Sequence, residues 1–226
     1  MFQATIAQLS VLLIFLSAQN SLANPVAEVP AKASVSSTAV ATPTVSSAAS
    51  STVAVASKNI KFKSEDGKTE FTAIGKPAMI KIAGEGDGPE GFATFDKNIV
   101  QMKVKVNLTK MTTKIELRDE HMKNKYLEVQ KFPTAELIIK DLSLKQSVES
   151  LTENFVEVPF SGDLTLHGKT KMVEGVASVA KKGKVVLINA DFSIKIMEHL
   201  DTLPSWAGIK VADEVKIKVQ LKGLIQ

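Results

Sequence analysis

The 226-residue sequence contains no cysteine. Disulfides, thiolate nucleophiles and Cys-ligated zinc are excluded together. It has one arginine, Arg118, one tryptophan, Trp206, and one tyrosine, Tyr126. Its net charge of +4 therefore rests on lysine. Readers of nucleic acid use Arg for bidentate contacts and aromatics for stacking, so this composition argues against a nucleic-acid partner. No apolar run is long enough to span a bilayer as a helix. The longest, Leu9 to Ala18, falls well short of about 20 residues.

That run has the form of an export signal. A polar step follows it, then Ser21-Leu22-Ala23 ahead of Asn24, with small residues at the two positions that signal peptidase reads. No Lys or Arg precedes the apolar core, so only the α-amino group supplies the positive end. The expectation is a signal peptide over 1–23 and a periplasmic mature protein. Without a Cys after the core, lipoprotein acylation is excluded. Residues 24–57 are nearly all Ala, Ser, Thr, Val and Pro, without amphipathic period and almost without charge. Such a segment buries too little to offset its ordering entropy and reads as a disordered linker, with a mean span of about 30 Å.

Residues 58–226 suffice for one domain and are too few for two large ones. Their dominant signal is alternation. Val215-Lys216-Ile217-Lys218-Val219-Gln220-Leu221 puts four aliphatic residues on one face, and Lys103 to Leu108, Lys61 to Lys63 and Phe192 to Ile196 behave alike. Period two means strands with one dry and one wet face. Further strands are expected over Glu70–Ile74, Ala78–Ala83, Gly91–Phe95, Glu136–Leu142, Val156–Leu166, Met172–Val179 and Val185–Ile188. Asp66-Gly67, Gly84 to Gly88 and Lys182-Gly183 supply turns. Only Glu116 to Leu127 breaks the pattern, and a short helix is expected there. Many one-sided strands with few helices make an all-β sandwich or barrel.

Three stretches together resemble the YceI-like family of periplasmic polyisoprenoid-binding proteins. The first runs from Leu117-Arg118-Asp119-Glu120-His121-Met122 through Tyr126 to Phe132-Pro133-Thr134-Ala135. The second is Gly162-Asp163-Leu164-Thr165-Leu166-His167-Gly168-Lys169-Thr170-Lys171. The third is Pro204-Ser205-Trp206-Ala207-Gly208-Ile209 with the strand after it. Where many members carry Arg-x-Asp-Phe-Gly-Ile before the last strand, this chain has Lys195-Ile196-Met197-Glu198-His199-Leu200, so the rim of any cavity is expected to differ. The resemblance implies an extended antiparallel eight-stranded barrel, lipocalin-like, with one or two short helices. It also implies an interior that holds a long isoprenoid or similar apolar lipid, a quinone among the options, with no cofactor beyond that non-covalent ligand.

Lumen or rim candidates are the bulky apolar residues Phe62, Phe71, Met79, Phe95, Met102, Val104, Val106, Met122, Tyr126, Phe132, Phe160, Phe192 and Trp206, with Phe92 and Met172 as further apolar bulk. In a barrel, core filling and ligand lining share one face, and adaptable Met suits a flexible chain. The histidines His121, His167 and His199 show no metal-ligand spacing, so no metal is expected and His121 reads as a hydrogen-bonded helix anchor. Asp163, Glu174 and Asp191 lack a nucleophile motif, which argues against an enzyme. Lysines flanking the strand aliphatics (Lys61, Lys63, Lys103, Lys105, Lys195, Lys216, Lys218) should point outward, giving solubility and a weak attraction to anionic membrane surfaces. The competing expectation is a cell-envelope interaction module with a packed, ligand-free interior.

Overall fold

The computed structural model describes residues 58–77, 79–206 and 208–226, without the side chain of Trp206. The signal-peptide and linker segments expected over 1–57 lie outside the described residues. Eleven strands form one antiparallel sheet: β1 Lys58–Phe62, β2 Lys68–Lys76, β3 Ile80–Asp87, β4 Glu90–Asp96, β5 Ile99–Asn107, β6 Thr134–Ser143, β7 Val156–Leu166, β8 Lys169–Lys182, β9 Val185–Lys195, β10 Ser205–Trp206 and β11 Ile209–Ile225.

The sheet closes on itself as an eight-stranded barrel. β11 pairs with β9 along one edge. Along its other edge it pairs with β2 over Lys210–Gln220 and with β1 over Gly223–Ile225. β1 and β2 thus share one staves' width, bent by the turn Ser64–Asp66. β3 and β4 make the next stave, because β2 pairs β3 while β1 pairs β4. The other staves follow in chain order. Closure removes the free edges that an open sheet of this length would expose.

Parity sorts the side chains. Val215, Val219 and Leu221 are buried, while Lys216, Lys218 and Gln220 are exposed. All seven flanking lysines point outward, as alternation predicts. The two segments expected at Val185–Ile188 and Phe192–Ile196 are one strand, β9, save that Ile196 falls in the 3-10 turn after it. Polar Asn189 and Asp191 sit at outward positions, and Val186, Ile188, Ala190, Phe192 and Ile194 keep a single inward row.

The expected helix is short. α1 spans Glu116–Glu120 and continues as a wider, π-type turn over His121–Tyr126. It lies on the β5–β6 connection, at the barrel end that also carries the β2–β3, β7–β8 and β9–β10 turns. Near that same end β6 and β7 pair only through Glu136–Ile138 and Asp163–Thr165, and they part toward the opposite end. The connection 144–155 fills that end. It is tied to both sides by Leu144 N–H to Asn98 O at 2.8 Å and Lys181 N–H to Thr152 O at 2.7 Å.

Candidate functional site

A cavity of about 520 Å³ runs along the barrel axis. Buried Leu144, Val148 and Leu151, from the β6–β7 connection, form its floor. Met102, Val104, Val179, Ile188 and Val219 line its middle from β5, β8, β9 and β11. Phe160 and Phe192 also line it and meet edge to face, ring centroids 5.9 Å apart. The cavity reaches the surface between Ile80 on β3 and Ile115 ahead of α1, which both line it and are exposed.

Small side chains explain why there is space at all. An eight-stranded barrel is just wide enough for its inward side chains to fill it. Here Ala73, Ala93, Ala135, Ala177 and Ala190 occupy inward positions and line the cavity. Each leaves unfilled the volume that a branched residue would take.

The lining is almost wholly apolar. Among the described residues its polar side chains are Thr69, Thr113, Arg118, His121, Tyr126 and Ser205. All but Thr69 come from around the open end, so apart from that one hydroxyl the body of the tunnel can recognise a guest only by shape and apolar burial.

The open end is held by hydrogen bonds among the three sequence stretches singled out above. The first is anchored to the residues just ahead of it, where the Asp119 carboxylate accepts the Thr113 N–H at 2.6 Å and the hydroxyls of Thr112 and Thr113. Burial alone would raise this carboxyl, but the bonds from Thr112 and Thr113 outweigh it and hold it below the ordinary value. Arg118 donates from Nε to Thr113 Oγ1 at 2.8 Å and from Nη2 to Thr113 O at 2.9 Å. Among the described residues it has no carboxylate partner, so it acts as a helix anchor and makes no ion pair with Asp119.

First and second stretches meet where His167 Nε2–H donates to Glu128 Oε2 at 2.8 Å and Phe132 packs on the His167 ring, centroids 4.6 Å apart. Lys131, with His167, holds the Glu128 carboxyl below its ordinary value. First and third meet through Tyr126 and Ser205. In the departing segment, His199 is buried and donates from Nδ1 to Lys169 O at 3.1 Å, beside the Lys169–Asp201 pair at 2.7 Å.

Of the residues expected at a lumen or rim, Phe71, Met102, Val104, Val106, Met122, Tyr126, Phe160 and Phe192 line the cavity. Phe62 and Phe95 do not. They point inward but are packed solidly at the floor end, at 2% and 3% exposure. Phe132 is outside the tunnel, used to cover the β7–β8 turn at Gly168. Met79 sits exposed in the β2–β3 turn, and Phe92 and Met172 have outward parity beside buried Ala93 and Val173. The side chain of Trp206 lies outside the described residues.

His121 lines the mouth, and its ring makes no hydrogen bond among the described residues, unlike the side-chain anchor expected of it. Sequence reasoning missed the floor leucines, whose segment has no period, and Thr69, which two-residue spacing from Phe71 would have placed inward.

The carboxylates considered for catalysis are scattered over the outer surface. Asp163 pairs with Lys140 at 2.9 Å, Asp191 pairs with Lys218 at 3.1 Å, and Glu174 is exposed. Among the described residues no three His, Asp or Glu side chains come together as metal ligands would.

A family model described as YceI-like domain matches residues 30–223. Among solved structures, the chain resembles a polyisoprenoid binding domain from Saccharophagus degradans implicated in plant cell wall breakdown. That match has TM-score 0.59 and 13% identity, covering 74% of this chain and 98% of that one. It also resembles BcnA of Burkholderia cenocepacia, with TM-score 0.52 and 19% identity, covering 68% and 95%. At these identities the likeness establishes the fold. No curated protein matches the sequence.

Proposed function

The chain belongs to the YceI-like family, and we propose that its barrel binds and carries one long apolar lipid of the isoprenoid class, with or without a quinone head. The observation that carries this reading is the tunnel: about 520 Å³, floored by Leu144, Val148 and Leu151, open at one end and apolar along nearly all its length. Pockets of roughly 300–1,000 Å³ with few polar groups suit such guests. Each methylene moved from water into the tunnel contributes about 0.8 kcal/mol, so affinity needs no charge inside. A polyisoprenoid-binding structural neighbour supports the same class of ligand.

We read the role as binding rather than catalysis: among the described residues the tunnel wall offers a guest no carboxylate, cysteine or paired base. Export is part of the proposal, supported by the apolar core Leu9–Ala18 and the Ser21-Leu22-Ala23 step. It would deliver the protein to the compartment between two lipid membranes. The mouth suits contact with such a surface. Met79, Ile80, Ile115 and Leu117 are exposed around it, with Lys76, Lys81, Lys125 and Lys210 exposed nearby. Apolar tips and basic flanks favour transient docking on an anionic bilayer.

The test is mass spectrometry of an organic extract from protein purified out of its native envelope. One long-chain lipid per protein, with an intact mass beginning at Asn24, is the expected result. A clean extract would leave the interaction-module reading instead.

A further inference from the structure

We infer that Thr69 is a polar contact built into the tunnel wall, which selects, among long apolar lipids, one carrying a hydroxyl or carbonyl oxygen inside the barrel. The inference rests on the carrier reading of the tunnel. Thr69 lines the cavity at 6% exposure, and its Oγ1 is buried without a hydrogen-bond partner. It is the second residue of β2, between Val219 of β11 and Gly86 of β3, and neither neighbour offers a polar side chain. The end of β2 at Lys76 lies roughly 20 Å of strand away, so the hydroxyl is well below the β2–β3 turn.

Buried hydroxyls are almost always paired. Thr69 makes no hydrogen bond to Thr113, whose hydroxyl donates to Asp119 and accepts from Arg118. Water is a poor substitute, because a buried water needs about two to four polar partners. Among the described residues, Thr69 is the one lining residue of the long strands with a hydroxyl, amide or charged side chain. What completes it is an oxygen brought by the guest. A prenol or prenylquinone lodged with its oxygenated group at this depth makes the bond. A pure hydrocarbon laid against the same wall leaves the hydroxyl stranded. A site built around a hydrogen bond discriminates strongly against the analogue that lacks it.

The experiment uses delipidated full-length protein as wild type, Thr69→Val and Thr69→Ser. The probes are geranylgeraniol and the hydrocarbon that lacks only its hydroxyl, measured by calorimetric titration. Wild type should prefer the prenol by about tenfold. Thr69→Val should abolish that preference, weakening the prenol and strengthening the hydrocarbon, while Thr69→Ser keeps it. If Thr69→Val does not fold, Thr69→Ala takes its place. Equal affinity of wild type for both probes, or an unchanged preference in the valine variant, overturns the role of Thr69 and leaves the carrier reading standing. Failure of wild type to bind either probe overturns the carrier reading and this inference with it.

Discussion

The phenolic oxygen of Tyr126 makes two hydrogen bonds to the backbone of Ser205, donating to its carbonyl at 2.8 Å and accepting from its N–H at 2.9 Å. Both residues line the cavity, one on the turn that follows α1 and the other on β10. The pair is a staple across the mouth that joins two connections which also share an apolar cluster of Tyr126, Leu127 and Leu200. Tyr126→Phe removes both bonds and keeps the ring. Because the bonds are solvent-exposed, global stability should fall by only about 1 kcal/mol. Release of a bound fluorescent lipid should quicken several-fold, as stopped-flow displacement would read. An unchanged off-rate would mean that the guest leaves by another route.

Acid should loosen the same side of the barrel through Glu85. Hydrogen bonds from Lys114, then Lys68, lower its carboxyl to about 2, against an ordinary value of 4.5. A group whose folded value is depressed stabilises the fold fully above its unfolded value, and that contribution is lost as pH falls through the folded value. Thermal unfolding should therefore begin to weaken below about pH 4.5, with the Glu85 share gone near about pH 2. Glu85→Gln should flatten that limb and lower neutral-pH stability by the same small amount, since the group is partly exposed and its ion pairs are screened. Identical acid limbs in the two proteins would remove Glu85 from the account.

Much of the fold was legible because alternation survives in long strands, and β11 carries it from Val215 to Leu221. The site was legible only where bulk and parity agreed. Phe160 and Phe192 are large and inward, and they line the tunnel. Phe92 and Met172 are large but outward, since one residue of offset in a strand reverses the face. Phe62 and Phe95 have the right parity but lie at the end where the barrel packs solid. Depth along the axis is set by closure and register, and no local pattern encodes either. The floor was invisible for a related reason: Leu144, Val148 and Leu151 act through tertiary burial in a connection without period.

Gly84 controls one wall of the tunnel. It pairs with Phe71 across β2 and β3, and a Cβ at Gly84 would overlap carbons of the Phe71 ring. The ring is the movable partner, and Phe71 already lines the cavity. Gly84→Ala should therefore swing it toward the axis and narrow the lumen. The expected result is a folded protein with lower lipid stoichiometry on extraction. Normal loading would show that the ring yields outward.

Filling the tunnel tests the carrier reading most directly. Val104 and Val106 lie on β5 with Lys103 and Lys105 outward, so their inward direction is fixed by the pleat, and both line the cavity. In a solid core, enlarging a buried residue forces strained rotamers and costs typically about 1–3 kcal/mol. In an open lumen the same indole takes space that the guest would fill, buries its own apolar surface and leaves the fold intact. Val104 is the more demanding site, because it also packs within the main core cluster at 5% exposure. Val106 is less enclosed, closer to the β5–β6 connection, and should tolerate the change more easily. Val104→Trp and Val106→Trp are therefore expected to unfold near the temperature of ligand-free wild type and to yield little or no lipid on extraction. Ligand-free wild type is the proper reference, since a bound guest raises apparent stability by mass action. Two unfolded variants beside a lipid-free wild type would mean that the interior is packed, and the carrier reading would fall.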